Sequence, residues 1–410
     1  MLMDINWKKN TALFLAGQAV SLFGTMIVQY AITWHITLKS QSGMMMAVFT
    51  VAGFLPMFFI SPFSGVWIDR FNKKYIINMA DGATAFASLV VAIFLMLGFE
   101  SYIVLLVCAV VRAFGQGVQT PAAGAFIPEI VPKEQLTKAN GIQSSIQSFI
   151  TLASPMAGGV LMTFAPLEIL FFLDVVTAAI GICIVFFFVK VPQKEKLKTI
   201  TGEQTKTTYF NDLKEGFGYI KKHGFVLRMI LLTSVFSILI SPAAVLTPLQ
   251  IARNFGGDVW RLSVMEILFS AGMMSGGLLI GFWGGFKNRV HTMAFACVLT
   301  GIHTIGLGLV RNYWVYIAIM AVMGMTVPLY NAPSMVLLQT KVEADYMGRV
   351  FSVFTMVTSV MMPAGMAIFG PLADIISINI ILVLTGIGIS LSSVIFVTSK
   401  TLLNAGKSDE

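Results

Sequence analysis

The chain has 410 residues, of which 57% are hydrophobic and 11% charged, with a formal net charge of +8. A soluble domain is about 25% charged, and a soluble chain of this length needs far more polar surface than this one supplies. With a mean hydropathy of +0.84, a soluble enzyme and a disordered chain are both excluded, leaving an all-α polytopic membrane protein.

A span needs about 20 apolar residues, and twelve apolar runs follow one another along the chain. The first, about 11–38, is too long for a signal-peptide core and is expected to be an uncleaved helix. It carries Gln18, Ser21, Thr25, Gln29 and Thr33 at spacings that put them on one face. The second, about 43–68, runs into GVWIDRFNKK at 65–74. There Gly65 permits close helix approach. Asp69 suits the N-terminal dipole of another helix, such as one beginning near Gly348. Arg70 and Lys74 suit an acid on a neighbouring helix, with Glu129 the candidate. Such a cluster would latch the inner side shut; a plain basic loop is the alternative.

The third run, about 75–97, carries Asp81 two turns inside it, within expected reach of Arg112 in the fourth run, about 102–127. A charge at the depth of Arg112 costs at least ~2.5 kcal/mol on insertion scales, so it must face the interior with a partner. Its role is either proton coupling or a structural ion pair. Gln116 and Thr120 extend the polar face of that run. The fifth, about 139–165, adds Asn140, Gln143, Gln147 and Thr151, then ASPMAGG at 153–159. Pro155 removes a backbone hydrogen bond, and Gly158 and Gly159 allow tight packing. Asp174, toward the outer end of the sixth run (about 169–190), suits either proton coupling or simple snorkelling.

A polar stretch at 191–224 divides the chain into an N-terminal six-helix bundle (1–190), this central loop, a C-terminal bundle (225–400) and a tail (401–410). Within the loop, 210–223 has amphipathic helical spacing and suits either the membrane surface or a short soluble connector. The later runs fall at about 225–252, 260–285, 291–310, 313–338, 347–373 and 378–399. Glu266, two turns into the eighth run beside Ser270 and Gly272–Gly277, is a candidate proton or cation site. Thr326, Tyr330 and Asn331 form a polar face in the tenth.

Lysine and arginine set the orientation. With both termini inside, 22 of them fall on inner segments, 4 on outer ones, and Arg112 lies within the membrane. The excess of positive charge is therefore topological and does not imply nucleic-acid binding. Weak internal similarity relates the halves: Pro155 corresponds to Pro363, and GVWIDRFNK at 65–73 has a faded copy in GFWGGFKNR at 281–289, where Asp69 has become Gly285. Two six-helix repeats point to a transporter with its site near mid-membrane. AGKS at 405–408 lacks the upstream glycine of a phosphate-binding loop, so no ATP hydrolysis is expected. Cys108, Cys183 and Cys297 have no metal-like spacing, the four histidines form no metal-like pair, and no cofactor is expected.

The loop at 65–74 resembles the signature of the major facilitator superfamily. The 153–159 segment resembles the Pro-x-x-Gly-Gly motif of its drug:proton antiporters, with Ser154 where the family usually has Gly. Arg112 resembles the family's helix-four arginine, although Gln116 replaces a usual glycine. Further segments, AGQAVSL (16–22), GFLP (53–56), VPKEQLTK (131–138), EILF (266–269), GGLL (276–279) and GRVF (348–351), look like the macrolide-efflux branch. The resemblance implies a twelve-helix fold in a bacterial plasma membrane. It also implies alternating access energised by the proton gradient, and export of bulky amphiphilic drugs. It further implies a ribosome-protection ATPase as a functional partner; a monomer is the default. An exporter of a siderophore, peptide or lipid-like metabolite is the alternative, and a non-transporting sensor or scaffold a third reading.

Overall fold

The computed structural model describes residues 6–190 and 209–407, which contain helices and turns but no strand. The helices are α1 (Trp7–Ser40), α2 (Gly43–Arg70), α3 (Lys73–Met96), α4 (Tyr102–Ile130), α5 (Leu136–Phe164), α6 (Leu167–Cys183), α7 (Tyr209–Lys222), α8 (Gly224–Val245), α9 (Thr247–Asn254), α10 (Val259–Trp283), α11 (Arg289–Leu309), α12 (Tyr313–Lys341), α13 (Ala344–Ile375), α14 (Ile378–Thr398) and α15 (Lys400–Ala405). Among the described residues, twelve segments are long and apolar enough to cross a membrane, matching the twelve runs of the sequence.

Local chemistry sets several boundaries. Asn72, Asn288, Asn312 and Ser377 cap α3, α11, α12 and α14, each side chain accepting from a first-turn N–H. Gly284 ends α10 in the left-handed region at φ 73, and Gly285 continues the turn at φ 83. The seventh span, Gly224–Asn254, is broken at Leu246 into α8 and α9. Pro248 lacks an N–H to continue a helix, and it sits at the start of α9 where that donor is not needed.

The chain forms two compact units, Met1–Trp34 with Ala52–Thr205, and His35–Val51 with Lys206–Glu410. The turn between α1 and α2 therefore groups with the second unit, whereas the sequence division placed it in the first. Its anchor there is Asp374 of α13, which accepts from the N–H groups of Gly43 and Met44 at 2.7 and 2.9 Å.

In the first unit α3 packs on α4 and α6. Gly17 of α1 meets Gly181 of α6 so closely that a Cβ on Gly181 would lie 2.6 Å from the Gly17 carbonyl oxygen. Phe14, Ile77, Phe126 and Ile127 form an apolar floor. In the second unit α10 packs on α12, α11 on α12 and α14, and α8 on α13. A Cβ on Gly276 would lie 2.6 Å from the Met325 Cα, so the glycine stripe of α10 is a helix-packing seam. Helix α7 lies along α13: Glu215 pairs with Arg349 at 2.9 Å, and Tyr219 stacks on Tyr346 at 4.7 Å. Tyr219 and Ile220 are buried, while Phe217 is 47% exposed, so among the described side chains the apolar side is covered in part by protein. Residues 191–208 of the central loop lie outside the described residues.

Candidate functional site

Arg112 of α4 is 2% exposed and sits in a closed polar knot within the first unit. Its Nη1 donates to Asp174 Oδ2 at 2.5 Å and to Ser88 Oγ at 2.8 Å, and its Nη2 to the Thr25 carbonyl at 2.8 Å. Asp174 is 1% exposed and also accepts from the Ser88 and Thr25 hydroxyls, at 2.6 and 3.2 Å. The partner of Arg112 is therefore Asp174 and not Asp81, and Asp174 does not snorkel. Asp81 precedes Ser88 by seven residues, or ~10 Å along α3, so Ser88 is the α3 residue level with the guanidinium. A desolvated charge is retained in such a place only with a close opposite charge and satisfied hydrogen bonds.

Asp81 instead borders a cavity of about 260 Å³. Around it stand Gln18, Ser21 and Thr25 of α1, Thr84 of α3, Gln116, Gln119 and Thr120 of α4, and Gln143 and Gln147 of α5. Gln18 donates to Asp81 Oδ2 at 3.3 Å and accepts from Gln119. Among the described residues Asp81 is thus a carboxylate with an amide partner and no paired cation, beside space lined by neutral donors and acceptors. The cavity also has apolar walls from Phe14, Leu15, Leu22 and Met26. Such a mixed lining accommodates amphiphilic ligands.

The polar faces predicted from spacing meet here in part. Gln18, Thr25, Gln116, Gln143 and Gln147 line the cavity, whereas Gln29 is exposed and absent from its wall. Gln119 was not among the expected residues, although it lies one turn before Ala123 on the same face of α4 as Gln116. Asn140 is exposed one turn before Gln143.

At the inner loop, Glu129 pairs with Lys73 at 2.9 Å, not with Arg70 or Lys74. Lys73 begins α3 beside the end of α4. Lys74, a ~100° step farther round the helix, donates to the Val189 carbonyl at 2.7 Å. Arg70 is exposed, and a Cβ at Gly65 or at Gly348 would meet nothing within 4 Å. The expected close approach at Gly65 is therefore not made. Asp69 belongs to the last turn of α2, and its side chain lies outside the described set.

The 153–159 segment faces α1. Ser154, Pro155, Gly158 and Gly159 are buried, and a Cβ on Gly158 would lie 3.7 Å from the Ile27 carbonyl oxygen and 3.9 Å from Trp34. This segment is a packing surface between α5 and α1.

In the second unit, Glu266 is half-buried on α10 and makes no hydrogen bond or ion pair among the described residues. Tyr330, expected in the substrate cavity, is 3% exposed. Its hydroxyl lies 3.0 Å from Thr233 Oγ1 and its ring stacks on Phe236 at 4.5 Å, so it belongs to the core. Asn331, its neighbour, is exposed. The ion pair of Asp374 with Arg253 at 2.8 Å was not foreseen. The only sequence sign was an acid closing an apolar run, which reads equally well as a loop residue.

A model of the Major Facilitator Superfamily matches residues 11–366. The chain is 30% identical to macrolide efflux protein A of Streptococcus pyogenes over 386 residues, 93% of each chain. It is 29% identical to macrolide efflux protein A of Enterococcus faecalis over 322 residues, 77% of this chain and 97% of that one. Among solved structures, a bacterial homologue of the human lysosomal transporter Spinster, in an inward-facing and unoccupied conformation, is similar in fold. Its TM-score is 0.74 at 14% identity, over 99% of this chain and 100% of that one.

Proposed function

Because the chain belongs to the major facilitator superfamily, and is thus a multi-pass transporter of a bacterial membrane, we propose that it exports bulky amphiphilic compounds of the macrolide type in exchange for protons. The observation that carries the substrate class is the near full-length likeness to macrolide efflux proteins. The cavity beside Asp81, lined by both amide side chains and apolar residues, supports it. The orientation with both termini inside is supported by the lysine and arginine bias.

In this reading Asp81 and Glu266 are the proton-exchanging carboxylates, since neither pairs with a cation among the described residues. The Arg112–Asp174 knot positions α1, α3, α4 and α6 around the cavity. The loop carrying Asp69, Arg70, Lys73 and Lys74, with Glu129, is the inner latch. A ribosome-protection ATPase would complement export by clearing drug already bound inside the cell.

The test is accumulation of a labelled macrolide in cells expressing the protein, with and without a protonophore. Export that stops when the gradient collapses supports antiport, and unchanged export overturns it. No macrolide export, together with loss of a secreted metabolite on deletion, replaces the drug with an endogenous amphiphile.

A further inference from the structure

A second cavity lies wholly in the second unit, where α10, α11, α12 and α15 end together. Its volume is about 500 Å³, and Lys287, Arg289, Lys341 and Lys407 surround it, with no carboxylate among the described residues of its wall. Lys287, Arg289 and Lys407 have no acidic partner among the described residues. Trp283 and Phe286, 41% and 44% exposed, form an edge-to-face pair at 4.8 Å on one side.

The concavity is built into the backbone. The left-handed Gly284 and Gly285 curl the chain away from α10, and a Cβ on Gly285 would lie 2.7 Å from Thr292 Oγ1. Asn288 caps α11 through the Val290 N–H at 3.0 Å and donates to the Leu403 carbonyl at 2.9 Å. The Arg289 N–H reaches the Gly406 carbonyl at 3.3 Å. Arg228 of α8 holds the other end of the tail through Ser399 and Thr401 at 2.8 and 2.7 Å. The tail is thus fastened as one wall of the cavity.

We propose that this cavity binds the phosphate of an anionic membrane phospholipid. Unpaired cations converging on a concave surface recognise phosphate. The cavity sits where three apolar spans stop, which is headgroup depth. An amphipathic tryptophan at the rim is the side chain suited to that layer, and Phe282 beside it, 90% exposed on α10, offers an apolar surface for an acyl chain. A soluble phosphate shares the anionic chemistry but has no use for those rings. The site occupies the second-half copy of the 65–74 loop, where Gly285 replaces Asp69, so loss of the acid accompanies the gain of an all-basic pocket.

The test is native mass spectrometry of the full chain in detergent, titrated with phosphatidylglycerol or with phosphatidylcholine of the same acyl chains, and with pyrophosphate as competitor. The variants are K287Q/R289Q/K407Q, the single K407Q, and K133Q/K138Q as a basic-loop control in the first unit. The proposal expects one tightly held phosphatidylglycerol, weak phosphatidylcholine, and about a 100-fold loss in the triple variant, from about fivefold per lost cation. K407Q, on an exposed tail side chain, should lose about fivefold with unchanged melting, and the control nothing. Equal phosphatidylglycerol affinity in the triple variant and wild type overturns the proposal. So does equal retention of the two lipids, and pyrophosphate bound as tightly as the lipid would make this a soluble-anion site instead.

Discussion

Arg112 Nη1 lies 2.5 Å from Asp174 Oδ2, in a part of the first unit where each side chain is about 2% exposed. Removing either partner strands the other charge in a low-dielectric interior, at a cost of about 3–5 kcal/mol. Arg112→Met and Asp174→Leu should therefore each lower the melting temperature sharply in detergent. The double variant, which removes both charges, should recover most of that loss. If the double variant melts as low as the worse single one, the pair contributes through packing and not charge. Transport by the double variant measures whether the pair also serves the exchange cycle.

Asp81→Asn should leave the fold intact, because an amide oxygen can still accept from Gln18. It should abolish gradient-driven export while leaving drug binding within a few-fold. Glu266→Gln, on the second unit, is expected to act in the same direction. Proteoliposomes with an imposed pH gradient provide the measurement; wild-type coupling in both variants would remove these carboxylates from the mechanism.

Neighbouring glycines of α10 should differ in tolerance. Gly276→Ala places a Cβ 2.6 Å from Met325 Cα, which forces α10 and α12 apart, whereas a Cβ on Gly277 meets nothing within 4 Å. The first substitution should cost about 1–3 kcal/mol by overpacking and the second should be neutral or slightly stabilising. Fluorescence-detected melting of the two proteins decides it, and equal melting would contradict the seam.

Asp374 acts as a long-range cap on α2, accepting from Ser42 Oγ at 2.7 Å and from two backbone N–H groups, while Arg253 holds it in place. Asp374→Ala should cost about 1–2 kcal/mol, a lost cap plus a partly exposed ion pair. Amide exchange should accelerate at Gly43 and Met44 ahead of the rest of α2. Unchanged exchange there would show that water caps this helix equally well.

Much of the architecture was legible in the sequence because membrane spans are specified locally. A run of apolar residues must close its own backbone hydrogen bonds as a helix wherever it crosses the bilayer, so the twelve spans could be read without knowing their neighbours. Polar spacing also placed Gln18, Gln116, Gln143 and Gln147 on helix faces that meet at one cavity. The amphipathic segment near 210–223 was equally visible. Its two readings differ in what covers the apolar side, and the structure shows that part of it packs against α13.

The partners of the charges were not legible. Depth along a span is visible in sequence, but rotation about the helix axis and helix adjacency are not. Asp81 was the expected partner of Arg112, and it was α6 that brought Asp174 level with the guanidinium instead. One residue of rotation gave Glu129 to Lys73 instead of Lys74. Tyr330 looked like a cavity residue until its hydroxyl met Thr233. By itself, then, the sequence determined the solvent this chain folds in, the number of spans and the few charges that enter them, because each follows from the energy of moving a single segment out of water. Which carboxylate meets a cation and which meets only an amide, and where basic residues far apart in the chain converge, was decided only by tertiary packing, because a buried charge is set by what lies within a few ångströms of it.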